Sequence, residues 1–198
     1  MSKHSNFHAL HQWCVRWAWA VPLLALLAGT AWAEKADRDR PMNIESDRLD
    51  HDDLEKKSIF QGKVLLSKGT MVLRGDRLEI KEDAQGYQYG LVLPVPGQRV
   101  FYRQKREGVP EYMEGEAERI EYDGRQDKVT LISKAELRRL RGNTLGDEIH
   151  GQVIVYDNLK DQFSVDGSVR NGVGVQSSSG TPRVRAVLAP KPKDGNGR

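Results

Sequence analysis

The feature that most constrains this 198-residue sequence is that it repeats itself. The pattern of residues 46–78 returns seventy-one residues later over 117–149. Arg48, Asp52, Lys57, Lys63, Leu66, Gly75 and Asp76 recur as Arg119, Asp123, Lys128, Lys134, Leu137, Gly146 and Asp147, and Leu49 and Leu78 recur as Ile120 and Ile149. Self-similarity at a fixed offset means one supersecondary unit used twice. A shorter echo lies within it: Ile120, Tyr122, Asp123 and Asp127 are matched by Ile154, Tyr156, Asp157 and Asp161, while Val129-Thr130-Leu131 becomes Phe163-Ser164-Val165. The apolar, polar, apolar step kept in both is the period of a half-buried strand.

The same period runs through the rest of the chain. Met42 and Ile44 share one face of an extended segment after Pro41, and Leu49 and His51 carry the pattern to a turn at Asp52-Asp53. Val64 and Leu66 alternate with polar neighbours, and Lys68-Gly69 reads as a tight turn. Met71 and Leu73 face one way, and Leu78 and Ile80 continue with shifted parity after Gly75-Asp76, as a bulge or corner would produce. Residues 81–90 read as a polar loop. Pro94, Pro96 and Gly97 confine any strand there to an edge or a kink. Val100 to Arg103 is strand-like, and residues 106–110 read as a hairpin loop. Residues 134–141 contain good helix formers, with Leu137 and Leu140 three apart, yet their repeat equivalent, 63–70, is strand-like. The repeat favours a strand. The segment 183–188 is a last candidate strand, and the Pro-, Lys- and Gly-rich residues 191–198 are expected to be disordered.

At the N-terminus, Lys3 and Arg16 precede an apolar run from Trp17 to Ala28, followed by Ala31-Trp32-Ala33. A positive start, a short apolar centre and small residues at the cleavage positions describe a secretory signal over 1–33, cut after Ala33. The competing reading, a retained anchor, has a run shorter than the ~20 residues a span needs. Residues 34–40 read as a flexible leader and 41–190 as one domain. Cleavage removes Cys14, the single cysteine, and all four tryptophans, so the exported chain depends on packing without a disulfide. It also removes Lys3 and Arg16; 31 basic residues less two, against 28 acidic, leave a net charge of +1. Near-neutrality argues against a general electrostatic hold on nucleic acid.

The residues of the common catalytic constellations are missing. Of the histidines only His51 and His150 remain after cleavage, with no cysteine, no HExxH, no Gly-x-Ser-x-Gly and no phosphate loop. His51-Asp52-Asp53 reads as a solvated turn more readily than as a metal corner, since adjacent strand residues point to opposite faces. No catalytic residue, metal or cofactor is expected. What remains is a ladder of inward-facing aliphatic and aromatic residues, which could form either a closed β-sandwich core or a ligand groove. Alternation alone does not separate the two.

Several stretches, in order, resemble the LptA/OstA family of periplasmic lipopolysaccharide transport proteins. They are Pro41-Met42-Asn43-Ile44-Glu45-Ser46-Asp47, Gly62-Lys63-Val64 with Gly69-Thr70-Met71, Gly75-Asp76-Arg77-Leu78 and Phe101-Tyr102-Arg103-Gln104. The likeness continues through Glu114-Gly115 before Ile120-Glu121-Tyr122, then Gly146-Asp147-Glu148-Ile149, and Arg183-Val184 with Val187-Leu188. It weakens in the Gly- and Ser-rich stretch before Arg183 and in the Lys-Pro-Lys tail. The resemblance implies an all-β fold, an incompletely closed antiparallel β-jelly roll shaped like a taco, with an apolar trough for lipopolysaccharide acyl chains. It implies head-to-tail stacking by strand addition, an inner-membrane LptC-like relative and an outer-membrane LptD-like translocon as partners, and a periplasmic location. By position, Met42, Ile44, Val64, Leu66, Leu78, Ile80, Phe101, Ile120 and Tyr122 are the candidate groove residues. Arg99 and Arg103, sharing the parity of Phe101, are candidate phosphate contacts, although such arginines are more often simply solvated. The alternative is a structural β-repeat scaffold or envelope assembly factor with a closed core and no lipid cargo.

Overall fold

A computed structural model describes residues 37–168 and 183–190; the expected signal peptide and the C-terminal tail lie outside the described residues. Among the described residues every regular element is a strand: β1 Met42–Glu45, β2 Arg48–Asp52, β3 Lys57–Lys68, β4 Met71–Glu82, β5 Gln88–Leu93, β6 Val100–Lys105, β7 Glu111–Ala117, β8 Arg119–Asp123, β9 Lys128–Arg141, β10 Thr144–Asp157, β11 Gln162–Asp166 and β12 Arg185–Val187. All pairings are antiparallel. The longest path through them, β1-β3-β4-β5-β8-β9-β10-β11, has eight strands, and the remaining four attach to it.

The branches have a simple origin. The long strand β4 pairs with β5 through Arg77–Glu82 and with β6 through Val72–Arg74. Likewise β9 pairs with β8 through Lys128–Ile132 and with β7 through Glu136–Arg141. The molecule is thus one sheet of eight bent columns folded along a crease. One leaf has the order β2-β3-β4-β5-β8-β9-β10-β11, and the other β1-β3-β4-β6-β7-β9-β10-β12. We call these leaf A and leaf B.

The crease is written into the repeat. The β3–β4 register shifts between Gln61 and Val64, where Gly62 and Lys63 have φ of 81° and 47°; the β9–β10 register shifts between Gly151 and Val153, opposite Ser133 and Lys134 with φ of 65° and 50°. An extra residue on one strand bends and twists it. Asp47 N–H donates to Gly62 O at 3.0 Å, and seventy-one residues later Glu118 N–H donates to Ser133 O at 2.9 Å. The same hinge bond closes both copies.

The leaf A turns repeat as well. Asp52 Oδ1 accepts from the Leu54 and Glu55 amides, Asp123 Oδ1 from those of Arg125 and Gln126, and Asp157 Oδ1 from that of Lys160. Each turn ends on a residue with φ of 50°: Lys56, Asp127 and Asp161. Aspartate suits this position because its side chain can satisfy amides that the turn leaves unpaired.

Three expectations need correction. Only the middle of the polar stretch at 81–90 is a turn, over 83–87, since β4 runs to Glu82 and β5 begins at Gln88; cross-strand pairing overrides polar composition in a solvated hairpin. The second repeat copy also loses step after β9. The first hairpin turns at 69–70 and the second at 142–143, and a further register shift falls at Gly146-Asp147, so Ile149 pairs with Leu137 whereas Leu78 pairs with Phe60. Residues 37–40, expected as flexible leader, form a turn bonded to the sheet. The segment 134–141 is strand: Ala135 and Leu137 turn inward, while Glu136 and Arg138 face outward into ion pairs.

The two leaves bury a single cluster between them. Tyr102, Leu73, Leu78, Ile120, Leu131, Leu137 and Ile154 are essentially inaccessible. The leaves approach closely at Gly115 of β7, where an added Cβ would collide with the Leu131 side chain of the opposite leaf.

Candidate functional site

Of the candidate groove residues, Val64, Leu66, Leu78, Ile80, Ile120 and Tyr122 are buried between the leaves, and Met42 and Ile44 pack against them half-exposed. Phe101 does not join them. In β6 the inward residues are Val100, Tyr102 and Gln104, and Phe101 lies on the outer face with the Arg74 guanidinium 5.2 Å from its ring centroid. Three consecutive apolar residues, Val100 to Tyr102, carry no parity of their own; the register opposite Leu73 and Gly115 turns Tyr102 inward.

Arg99 and Arg103 follow Phe101 outward, into an acidic ladder on leaf B. Arg99 pairs with Glu116 and, at 3.1 Å, with Glu136; Arg103 meets Glu114 at 2.6 Å and lies 4.2 Å from the Tyr112 ring centroid. Both guanidiniums are thus taken up by carboxylates or an aromatic face. Arg138 shares this ladder through Glu116 and Glu136, whereas Arg139, opposite the inward Met113, pairs with Asp147 at 2.9 Å and with Glu111; the Nε of each is buried and makes no hydrogen bond.

The polar chemistry between the leaves gathers at the mouth, opposite the crease. Lys68 Nζ, from leaf B, donates to the Tyr122 hydroxyl of leaf A at 2.9 Å. The Tyr102 hydroxyl donates to Gln104 Oε1 at 2.9 Å, and the Tyr156 hydroxyl to Asp161 Oδ1 at 2.7 Å. Arg106, at the end of β6, reaches Asp161 across the mouth. A cavity of about 1340 Å³ opens here, lined by Lys68, Thr70, Gln104, Asp127 and Tyr156 together with residues 37–41. Burial pulls the Lys68 ammonium pKa down, against the pull of Asp127, and pushes the Asp127 carboxyl up. Burial also raises Tyr102 and Tyr122. These groups sit where charge is costly unless paired.

Lys68 and Gln104 escaped the sequence reading although a signal existed. Lys68 shares the parity of Val64 and Leu66, and Gln104 that of Tyr102, so both lie on the inward face, where the strands end and solvent begins. His51, read as part of a solvated turn, bonds Ser58 Oγ at 2.9 Å and Asp53 Oδ1 at 3.2 Å on an exposed strand.

The inward apolar stripe does not stop at the buried centre. Toward one end it continues through Ile44 and Met42 of β1, beside Leu49 of β2, which is 55 % exposed. Toward the other it reaches Val165 and Phe163 of β11, the latter 38 % exposed, while on β12 the inward position, opposite Ile149, is held by Ala186. Among the described residues, β1 and β2 pair only with β3, and β11 and β12 only with β10, leaving both ends of each leaf as free edges.

Comparison with known proteins gives a consistent result. Residues 43–162 match the family described as LptA/(LptD N-terminal domain) LPS transport protein. The chain is 28% identical over 169 residues to the lipopolysaccharide export system protein LptH of Pseudomonas aeruginosa, covering 85% of this chain and 90% of that protein. It is 30% identical over 169 residues to LptA of Haemophilus influenzae, covering 84% and 87%. The crystal structure of P. aeruginosa LptH, titled the periplasmic component of a conserved lipopolysaccharide transport device, superposes with a TM-score of 0.65 at 24% identity. That superposition covers 78% of this chain and 99% of the other.

Proposed function

The chain belongs to the family of lipopolysaccharide transport proteins built on the LptA and LptD N-terminal domain, a family of transporters and not of enzymes, and on that premise we propose that it carries lipopolysaccharide through the periplasm. The acyl chains would lie between the leaves, along the stripe that runs from Met42 and Ile44 through Val64, Leu66, Leu78, Ile80, Ile120 and Tyr122. The observation that carries this reading is the continuation of that stripe to two open edges. A core sealed for stability alone gains nothing by leaving Leu49 and Phe163 in water. A trough continued by a neighbour needs them, since each buried CH₂ is worth about 0.8 kcal/mol.

The free edges also support end-to-end assembly by strand addition, with further copies and with an inner-membrane LptC-like relative and an outer-membrane LptD-like translocon. Energy for movement would come from elsewhere, because the sequence has no nucleotide-binding loop. The signal expected over 1–33 supports export and a periplasmic location.

A photo-crosslinking residue at Ile44 is expected to capture lipopolysaccharide, while the same residue at Phe101, on the outer face, captures little. Equal labelling at both positions would sink the groove. The second reading, a scaffold with a closed core, draws on the complete burial of Leu78 and its neighbours. Under that reading Ile44→Asp, at the partly buried end of the stripe, has no lipid binding to lose; under ours it gives a folded protein with weakened lipopolysaccharide binding.

A further inference from the structure

Residues 37–40 lie across the mouth, touching both leaves. Asp37 accepts from the Thr70 amide at 2.8 Å, from the Thr70 hydroxyl, and from Gln104 Nε2 at 3.1 Å, all on leaf B. Arg38 Nη2 donates to Arg125 O at 3.4 Å, in the β8–β9 turn of leaf A. Gly69, with φ of 58°, makes room for this crossing, since a Cβ there would collide with Asp37. A backbone amide, a hydroxyl and a carboxamide N–H converging on one carboxylate form a set of donors suited equally to a phosphate. Beneath them lies Lys68, buried in the mouth, whose ammonium feels Asp127 from leaf A and, from this segment, Asp39 and Asp37 opposed by Arg38.

We propose that residues 37–40 are a displaceable strap over the mouth, whose carboxylates hold the place of a phosphorylated lipid headgroup above Lys68, Thr70 and Gln104. The proposal rests on the reading of the interior as lipid-carrying and adds to it a gate and a headgroup chemistry. The headgroup reaches the mouth only when the strap lifts; its departure takes Asp37, Asp39 and the opposing Arg38 away from Lys68 and leaves the three donors that held Asp37 without an anion, and an anionic headgroup takes that place. An uncharged headgroup cannot make that exchange.

The test uses protein purified from the periplasm. A spin label at Asp39→Cys, where the exported chain has no other cysteine, is expected to change from an immobilised to a mobile line shape on saturation with lipopolysaccharide. Asp37→Ala is expected to speed lipopolysaccharide association about threefold by raising the fraction of open mouths. Lys68→Met is expected to weaken binding of a phosphorylated lipid A about tenfold, the loss of one charge-assisted contact, and to leave binding of its dephosphorylated form unchanged. An immobile label at saturating lipid, with Ile44 still capturing the lipid, would overturn the strap and leave the groove standing. Equal loss for both lipid forms in Lys68→Met would overturn the headgroup assignment. Failure of every variant and of the unaltered protein to bind or crosslink lipid would remove the groove reading and the strap together.

Discussion

Leu49 and Ile120 occupy the same position in the two repeat copies, yet Leu49 is 55 % exposed and Ile120 is fully buried. Ile120→Ala should therefore cost about 2–5 kcal/mol in urea unfolding, and Leu49→Ala within about 0.5 kcal/mol; equal costs would contradict the placement of β2 at an edge. Glu111 sets a second test. Burial pushes its pKa up, but bonds from Arg141 at 2.6 Å and from Arg106 outweigh this and hold the carboxyl below its ordinary value. Asp161 and Glu136 are likewise held low by arginine against burial. Because the folded pKa lies below the unfolded one, this stabilisation is complete above the unfolded carboxyl range, about 4, and is lost as pH falls through the folded values. Tm is thus expected to fall on acidification below about pH 4, and Glu111→Gln to flatten that fall. Asp127, raised by burial, has the opposite sign and contributes stability as pH falls through its window. Residue by residue, the inward set was readable wherever apolar and polar residues alternate, as in Val64 to Lys68. It was unreadable at Val100-Phe101-Tyr102, where hydrophobicity is uniform and only the neighbouring strand fixes the parity.

At the scale of elements, the crease decides what the sheet encloses. A flat eight-stranded sheet would expose its apolar face; four strands long enough to bend fold that face on itself. Left-handed residues at Gly62 and Ser133 place the bends at equivalent points of both copies. The parity change at Gly75-Asp76, across from Gly62-Lys63, signals the first bend, whereas Ser133-Lys134 carries no such signal and is located only by the repeat. The spacing of the leaves is set where Gly115 faces Leu131. Gly115→Val is expected to wedge them apart at a cost of about 1–3 kcal/mol, measured as a shift in the urea midpoint. The segment at 134–141 shows context overriding propensity: its helix formers lie in a strand because Arg138 and Arg141 find cross-strand partners in Glu116 and Glu111 of β7.

For the whole molecule, the free edges β1, β2, β11 and β12 are the feature that a monomer does not explain. Leu49→Lys is expected to leave Tm unchanged, since the side chain already meets water, and to shift the sedimentation-velocity distribution of a concentrated sample toward the monomer. Unaltered protein that stays monomeric at high concentration would remove self-stacking, while edges could still serve unlike partners. The mouth is the other global feature. Lys68, Tyr122, Arg106 and Asp161 come from separate columns and meet only because the sheet is folded.

The sequence by itself determined the class and the repeat: an alternating apolar period written twice makes strands, and strands of that length with one oily face must cover it. Only the tertiary structure decided which equivalent positions are buried, where the second hairpin turns, and which charges face one another across the mouth. Periodicity is a property of one strand and its two faces. Burial, register and ion pairing are set by strands and leaves brought together by the fold, at distances along the chain that no local pattern encodes.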